Sequence, residues 1–220
     1  MNVLFDLDGT LTDPRQGILA CVKHALEGLG VDSPPDHDLE RFIGPPLRAC
    51  FSQLLLNHAK DVEQAVTLYR ERFAAQGMFE NRVYPGIAEA LAELRERGAW
   101  LAVATAKPRV FAERILAHFE LGRFFDAVYG SELDGRNADK SDLLAHLLKA
   151  ESLSPADTCM IGDRAYDVLA AKANGIFGMG VLWGYGSRKE LLSAGAERLY
   201  EEPKNLVEVV GWPASQALRL

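Results

Sequence analysis

Cysteine, basic charge, clustered histidine and long apolar runs are all scarce in this chain. Cys21, Cys50 and Cys159, an odd number at wide spacing among 220 residues, exclude a disulfide framework and a C-x-x-C metal or redox pair. Free thiols in a reducing compartment follow, so the protein is expected to be cytoplasmic. No apolar run approaches the roughly 18 residues a membrane helix requires. Strand-like sequence begins at Asn2, which leaves no room for a basic, then apolar signal peptide. Lys and Arg number 24 against 31 Asp and Glu, and the formal charge of −7 opposes a non-specific nucleic-acid surface. A local basic site for a small anion stays open. His24, His37, His58, His118 and His146 are scattered, and each reads as structural or surface. The expected partner is therefore a small molecule, with neither nucleic acid nor membrane, and the chain is expected to be a monomer or homodimer.

With 48% hydrophobic and 25% charged residues, the composition is that of an ordinary globular protein, long enough to build a core without staples. Short apolar runs at Val3–Leu7, Trp100–Ala104, Ala127–Tyr129, Thr158–Ile161 and Phe177–Trp183 have the length and flanks of buried strands. Helical periodicity separates them: Gly86–Arg97 closed by Gly98, Pro108–Phe119, Asp139–Glu151, and Arg164–Asn174 closed by Gly175. Ser187-Arg188-Lys189-Glu190 is a capping-box pattern that opens one more short helix. Alternating strand and helix predicts an α/β fold with a doubly wound parallel sheet, whose ligands sit beyond the carboxyl ends of the strands.

One stretch departs from this alternation. From Pro14 to about Tyr84 nothing reads as a strand. Ile18, Val22, Ala25, Leu26 and Leu29 form a helical stripe ended by Gly30, and Pro34-Pro35-Asp36 makes a turn. Further helices are expected over Leu47–Leu56 and from Val62 through Val66, Tyr69 and Phe73 to about Gly77. Residues 1–14 and 84–220 then form the core, and 15–83 an inserted helical subdomain.

Polar residues fall at four strand ends or helix starts where packing does not call for them: Asp6 with Asp8, Thr105 with Lys107, Lys140, and Asp163 with Asp167. A cation in a helix's first turn opposes the macrodipole by about 0.3–1 kcal/mol, and the pattern places both Lys107 and Lys140 there. An anion bound beside them would reverse that sign, which suggests phosphate recognition; the alternative is that both lysines point to solvent. Asp6 and Asp8, two apart, would share a face on an ideal strand, and Asp163 ends another strand. Three converging acids repel unless a cation lies among them, and oxygen-only ligands select Mg²⁺ over zinc. Asp163 could instead cap the following helix. Asp167, four residues on, would brace the metal site from behind.

Jointly these residues resemble the haloacid dehalogenase superfamily. Phe5-Asp6-Leu7-Asp8-Gly9-Thr10-Leu11-Thr12-Asp13 is similar to its first motif, Ala104-Thr105-Ala106-Lys107-Pro108 to the second, Lys140 to the third, and Gly162-Asp163-Arg164-Ala165-Tyr166-Asp167 to the fourth. The insertion after the first motif resembles the helical cap of the phosphoglycolate-phosphatase-like branch, and so do Phe42-Ile43-Gly44-Pro45-Pro46-Leu47 and Gly184-Tyr185-Gly186-Ser187. The resemblance implies a Rossmann-like core and a Mg²⁺-dependent phosphatase acting on a small phosphorylated metabolite. It makes Asp6 the nucleophile, forming an aspartyl-phosphate, and Asp8 the general acid and then base. Asp6, Asp163 and the backbone carbonyl of Asp8 would hold Mg²⁺, Asp167 would orient that group, and Thr105, Ala106, Lys107 and Lys140 would meet the phosphate.

Asp8 disfavours the dehalogenase and phosphonatase branches, which expel no alkoxide and resemble this chain less at that position. Sugar phosphomutases keep both acids, but their lysine motif usually resembles Ser-Lys-Pro-x-Pro-Asp, whereas this chain has Ala138-Asp139-Lys140-Ser141-Asp142. A non-catalytic protein that senses a phosphorylated ligand is the remaining alternative. Within the cap, Arg48 is the candidate contact for an anionic or polar substrate tail, ahead of Gln16 and Lys23, and Phe42, Phe51, Tyr69 and Phe73 read as the cap's own core. The expected substrates are small phosphate monoesters such as 2-phosphoglycolate or nucleoside monophosphates.

Overall fold

Val3, Leu4 and Phe5 have no solvent exposure, and they place β1 (Asn2–Phe5) in the interior of a parallel sheet. The computed structural model describes residues 1–55 and 61–211. Leu56, the expected end of one helix, and His58 lie outside those residues. The chain folds as two compact units, one made of Met1–Leu11 with the chain from Val83 on, and a second made of Thr12–Arg82.

The second unit holds β2 (Thr12–Asp13), α1 (Arg15–Gly28), α2 (Asp36–Leu39), α3 (Leu47–Leu54) and α4 (Val62–Arg72), after which the chain leaves through β3 (Arg82–Val83). The expected stripe of α1 is buried at Ile18, Val22, Ala25 and Leu26. Phe42, Phe51, Tyr69 and Phe73 are buried in a run of ring contacts 5.1–6.2 Å apart, so they are the unit's core. Pairing of β2 with β3 corrects the expectation of no strand before Tyr84: two residues a side are too short to give a period-2 signal.

The first unit continues with α5 (Ile87–Glu96), β4 (Trp100–Pro108), α6 (Arg109–His118), β5 (Ala127–Ser131), α7 (Lys140–Ala150), β6 (Thr158–Gly162), α8 (Ala165–Ala173), β7 (Phe177–Val181), α9 (Arg188–Ala194) and β8 (Arg198–Tyr200). The six strands run parallel in the order β5-β4-β1-β6-β7-β8. Burial on both faces explains their near-continuous apolar sequence. The chain winds outward from β1 in both directions, so the crevice where strand order reverses opens at the carboxyl ends of β1, β4 and β6.

Two strand boundaries differ from expectation, and both shape that crevice. β1 stops at Phe5, because Leu7 turns back and its carbonyl accepts from Thr10 and Leu11 N–H at 3.3 and 2.9 Å. β4 runs on to Pro108, so Lys107 belongs to the strand's irregular end rather than to the first turn of α6. The edge strand β8 was not anticipated. Cys21, Cys50 and Cys159 are buried and joined in no disulfide among the described residues, and burial pushes the Cys159 thiol above its usual range, which keeps it inert. Among the described residues no helix is long and apolar enough to cross a membrane.

Candidate active site

The site assembles from the ends of β1, β4 and β6 and the starts of α7 and α8, all in one unit. Asp6 follows β1, and its backbone N–H donates to the Ile161 carbonyl of β6 at 2.9 Å, so the pairing with β6 continues one residue past the strand. That places Asp6 beside the end of β6, which Asp163 directly follows. Gly9 then has φ +80°, and a Cβ there would lie 2.3 Å from Asp163 Oδ2; the first motif's glycine is needed for both the turn and the approach. Asp6 and Asp8 consequently do not share a strand face. Asp6 faces Lys140, with Nζ to Oδ2 at 3.0 Å, and Asp8 faces Lys107, with Nζ to Oδ2 at 2.7 Å.

Carboxylate oxygens of Asp6, Asp163 and Asp167 lie within 4.8 Å of one another, and all three residues are buried. Asp167 reaches the group from the first turn of α8, pairing with Lys140 Nζ through one oxygen while the other accepts from Arg164 N–H at 3.0 Å. Arg164, not Asp163, occupies the N-cap position of α8, so capping does not explain Asp163. Tyr185 N–H donates to Asp163 Oδ2 at 2.8 Å, and Oδ1 of the same carboxylate is buried without a protein partner. Asp8 Oδ1 and Thr10 Oγ1 are orphaned in the same way.

Neither lysine points to solvent: each side chain is 7% exposed. Lys140 opens α7, where its charge opposes the helix dipole; Asp139 offsets this by capping the helix, accepting from Ser141 and Asp142 N–H at 2.8 and 3.2 Å. Burial works against the Lys140 ammonium, but the carboxylates of Asp167 and Asp6 more than compensate and hold its pKa above the usual range. Thr105 is buried at the irregular end of β4, its hydroxyl accepting from Lys107 N–H at 3.3 Å, and the Ala106 carbonyl accepts from Ser131 Oγ at 2.8 Å. Thus Asp6, Asp163, Asp167 and Lys140 meet directly, Asp8 meets Lys107, and Thr105 and Ala106 hold the loop that carries Lys107. Arg48 lies in the other unit, where it pairs with Glu63 on the surface.

Four buried carboxylates against two ammonium groups leave a formal charge of −2. That density of buried charge favours the protonated forms of the acids. Burial raises the Asp163 carboxyl well above its usual range, with Asp167 and Asp6 adding to the effect, and burial likewise raises Asp167 and Asp8 against the pull of their lysines. The arrangement fits a hard divalent cation: its donors are all oxygen, its formal charge is −2, and two carboxylate oxygens, Asp163 Oδ1 and Asp8 Oδ1, have no protein partner. Sequence reasoning passed over Thr10, whose hydroxyl is orphaned and whose carbonyl accepts from Trp183 Nε1 at 3.0 Å. Its place inside the first motif was the only available signal.

The sequence profile described as haloacid dehalogenase-like hydrolase matches residues 3–181. A 5'-nucleotidase of Pseudomonas aeruginosa is 52% identical over 190 residues, covering 86% of this chain and 86% of that protein. A tyrosine-protein kinase PtkA of Mycobacterium tuberculosis is 40% identical over 84% of this chain, which spans only 62% of that protein. Among solved structures, that of a predicted phosphatase from Clostridium acetobutylicum superposes with a TM-score of 0.90 at 41% identity, covering 94% of this chain and 96% of the other.

Proposed function

The chain belongs to the haloacid dehalogenase-like hydrolases, and from that premise we propose that it is a Mg²⁺-dependent phosphatase of small phosphate monoesters, acting through an aspartyl-phosphate. The observation that carries the reading is the buried group of Asp6, Asp163 and Asp167 around Lys140, with Asp8 and Lys107 beside it at the carboxyl ends of the strands.

Asp6, Asp163 and the backbone carbonyl of Asp8 would hold Mg²⁺, while Asp167 fixes Lys140 and closes the acid group. When bound, the ion would offset the site's −2 charge and lessen the repulsion between the phosphate and an anionic nucleophile. Lys140 is already aimed at Asp6 and is thereby placed to hold an equatorial phosphate oxygen, with Thr105 and Ala106 on the neighbouring strand end. An Asp6 oxygen bonds to phosphorus as the ester P–O bond breaks, and Asp8 gives its proton to the departing alkoxide. Asp8, now a carboxylate, takes a proton from water as that water's oxygen attacks phosphorus. Asp6 is released together with inorganic phosphate. The raised carboxyl of Asp8 supports the acid role, since burial favours its protonated form, and Lys107 supports the carboxylate needed in the second half.

The 52% identical relative supports nucleoside 5'-monophosphates as the substrate class, with 2-phosphoglycolate the second candidate. A phosphate-release screen over phosphorylated metabolites with Mg²⁺ tests the reading, using chelator and Asp6→Asn as controls. Release from a nucleoside 5'-monophosphate that disappears with either control is expected. Release that survives Asp6→Asn overturns the nucleophile, and a protein indifferent to chelator overturns the metal.

A further inference from the structure

The carboxylate of Glu190 does not serve its own helix. Ser187 caps α9 by accepting from Glu190 N–H at 3.1 Å, and a capping box would return the Glu190 side chain to Ser187. Its Oε1 instead accepts from Arg164 Nε and from Ala165 N–H, both at 2.9 Å. Ala165 is the first residue of α8, so a carboxylate from another helix satisfies one of that helix's orphan donors and complements its positive end. The contact is substantially shielded, with side-chain exposures of 27% for Glu190 and 19% for Arg164, and Glu190 is held below the usual carboxylate range: burial opposes its charge, but Ala165 N–H and Arg164 outweigh it.

The residues it grips lie between two members of the acid group. Arg164 follows Asp163 and donates its backbone N–H to Asp167. The segment leading to Glu190 presses on the same turn. Tyr185 N–H holds Asp163, a Cβ on Gly184 would lie 2.4 Å from the Asp163 Cβ, and one on Gly186 would lie 1.8 Å from the Asp163 carbonyl oxygen. Only glycine admits that approach. The β7–α9 connection and Glu190 of α9 therefore clasp residues 163–165 together, the connection on Asp163 and Glu190 on Arg164 and Ala165.

We propose that Glu190 is a positioning residue for the Asp163–Asp167 pair: by holding Arg164 and Ala165 it sets the spacing of the two carboxylates, and with it the affinity of the site for a divalent cation. The proposal rests on reading the acid group as a Mg²⁺ site, so the experiment begins with Mg²⁺ titration of the substrate-free wild type by calorimetry. A wild type that binds no Mg²⁺ overturns that underlying reading. Given wild-type binding, Glu190→Ala is expected to weaken Mg²⁺ about 10–100-fold, the usual cost of losing a group that orients metal ligands. At saturating Mg²⁺ the KM for substrate is expected to stay within about twofold, separating lost ion affinity from lost substrate binding. Glu190→Gln keeps an acceptor for Ala165 N–H but not the charge facing Arg164, and is expected to fall between the two. A folded Glu190→Ala with unchanged Mg²⁺ affinity overturns the proposal and leaves Glu190 a helix cap alone. Should the alanine variant fail to fold, Glu190→Gln decides: weakened Mg²⁺ binding supports the role, and wild-type binding overturns it.

Discussion

Asp8 sits under two opposed influences, burial that favours its neutral form and a lysine that favours its charge. A group asked to donate a proton and then take one back needs both. Its replacement separates the two halves of the reaction. Asp8→Asn is expected to cut kcat/KM on alkyl phosphates, which reads the first half alone, by about 10²–10⁴-fold, the usual value of a positioned acid or base. The loss in kcat/KM should be much smaller for p-nitrophenyl phosphate, whose leaving group needs no proton. Equal losses in kcat/KM on the two at saturating Mg²⁺ would exclude the acid role. At this scale the members of the candidate site were readable from residue type and spacing, because acids and lysines at strand ends and helix starts have few structural reasons to be there. The pairing was not: spacing placed Asp6 with Asp8, whereas the turn after Phe5 separates them and gives each its own lysine.

The start of α7 shows why an unfavourable helix position is tolerated. Lys140 opposes the dipole at the first residue, and Asp139 meets two backbone donors there with a charged cap. Asp139→Ala is expected to lower stability by about 1 kcal/mol through the lost cap. It should also loosen Lys140, raising KM more than it lowers kcat if the lysine holds the phosphate in the ground state. Denaturant unfolding with paired kinetics checks this, and unchanged KM would confine Asp139 to capping. Element interiors followed from periodicity and from helix-stop glycines such as Gly98 and Gly175, both with positive φ. Element ends did not. β1 is cut short by a turn whose reason is Asp163 across from Gly9, and Glu190 leaves its capping box for α8. In both cases the deciding partner is more than twenty residues away.

For the whole chain, the buried acids link stability to pH and, on the proposed reading, to a divalent cation. The Asp163 carboxyl is raised in the folded state above its ordinary 3.8, so between that value and its raised one the unfolded chain binds fewer protons than the native protein. Its contribution is full below 3.8 and is lost as pH rises through the raised value. A divalent cation bound there would replace the missing proton, so stabilisation by Mg²⁺ is expected to grow as pH rises. At about 100 times Kd the gain is about 2.7 kcal/mol. For a chain of this size that is roughly 5–10 °C in Tm. Thermal melts with and without Mg²⁺ at pH 6 and pH 8 check it, and a shift larger at pH 6 would contradict the assignment.

Composition, periodicity and four short motifs were enough to specify a parallel α/β sheet with a helical insertion and the residue types of its chemistry, because burial and strand-end placement are local constraints that leave a pattern in the chain. Which acid faces which lysine, where β1 ends and what braces Asp163 depended on the folded structure. Those are contacts between elements remote in sequence, set by close approaches and shared burial that no local pattern encodes.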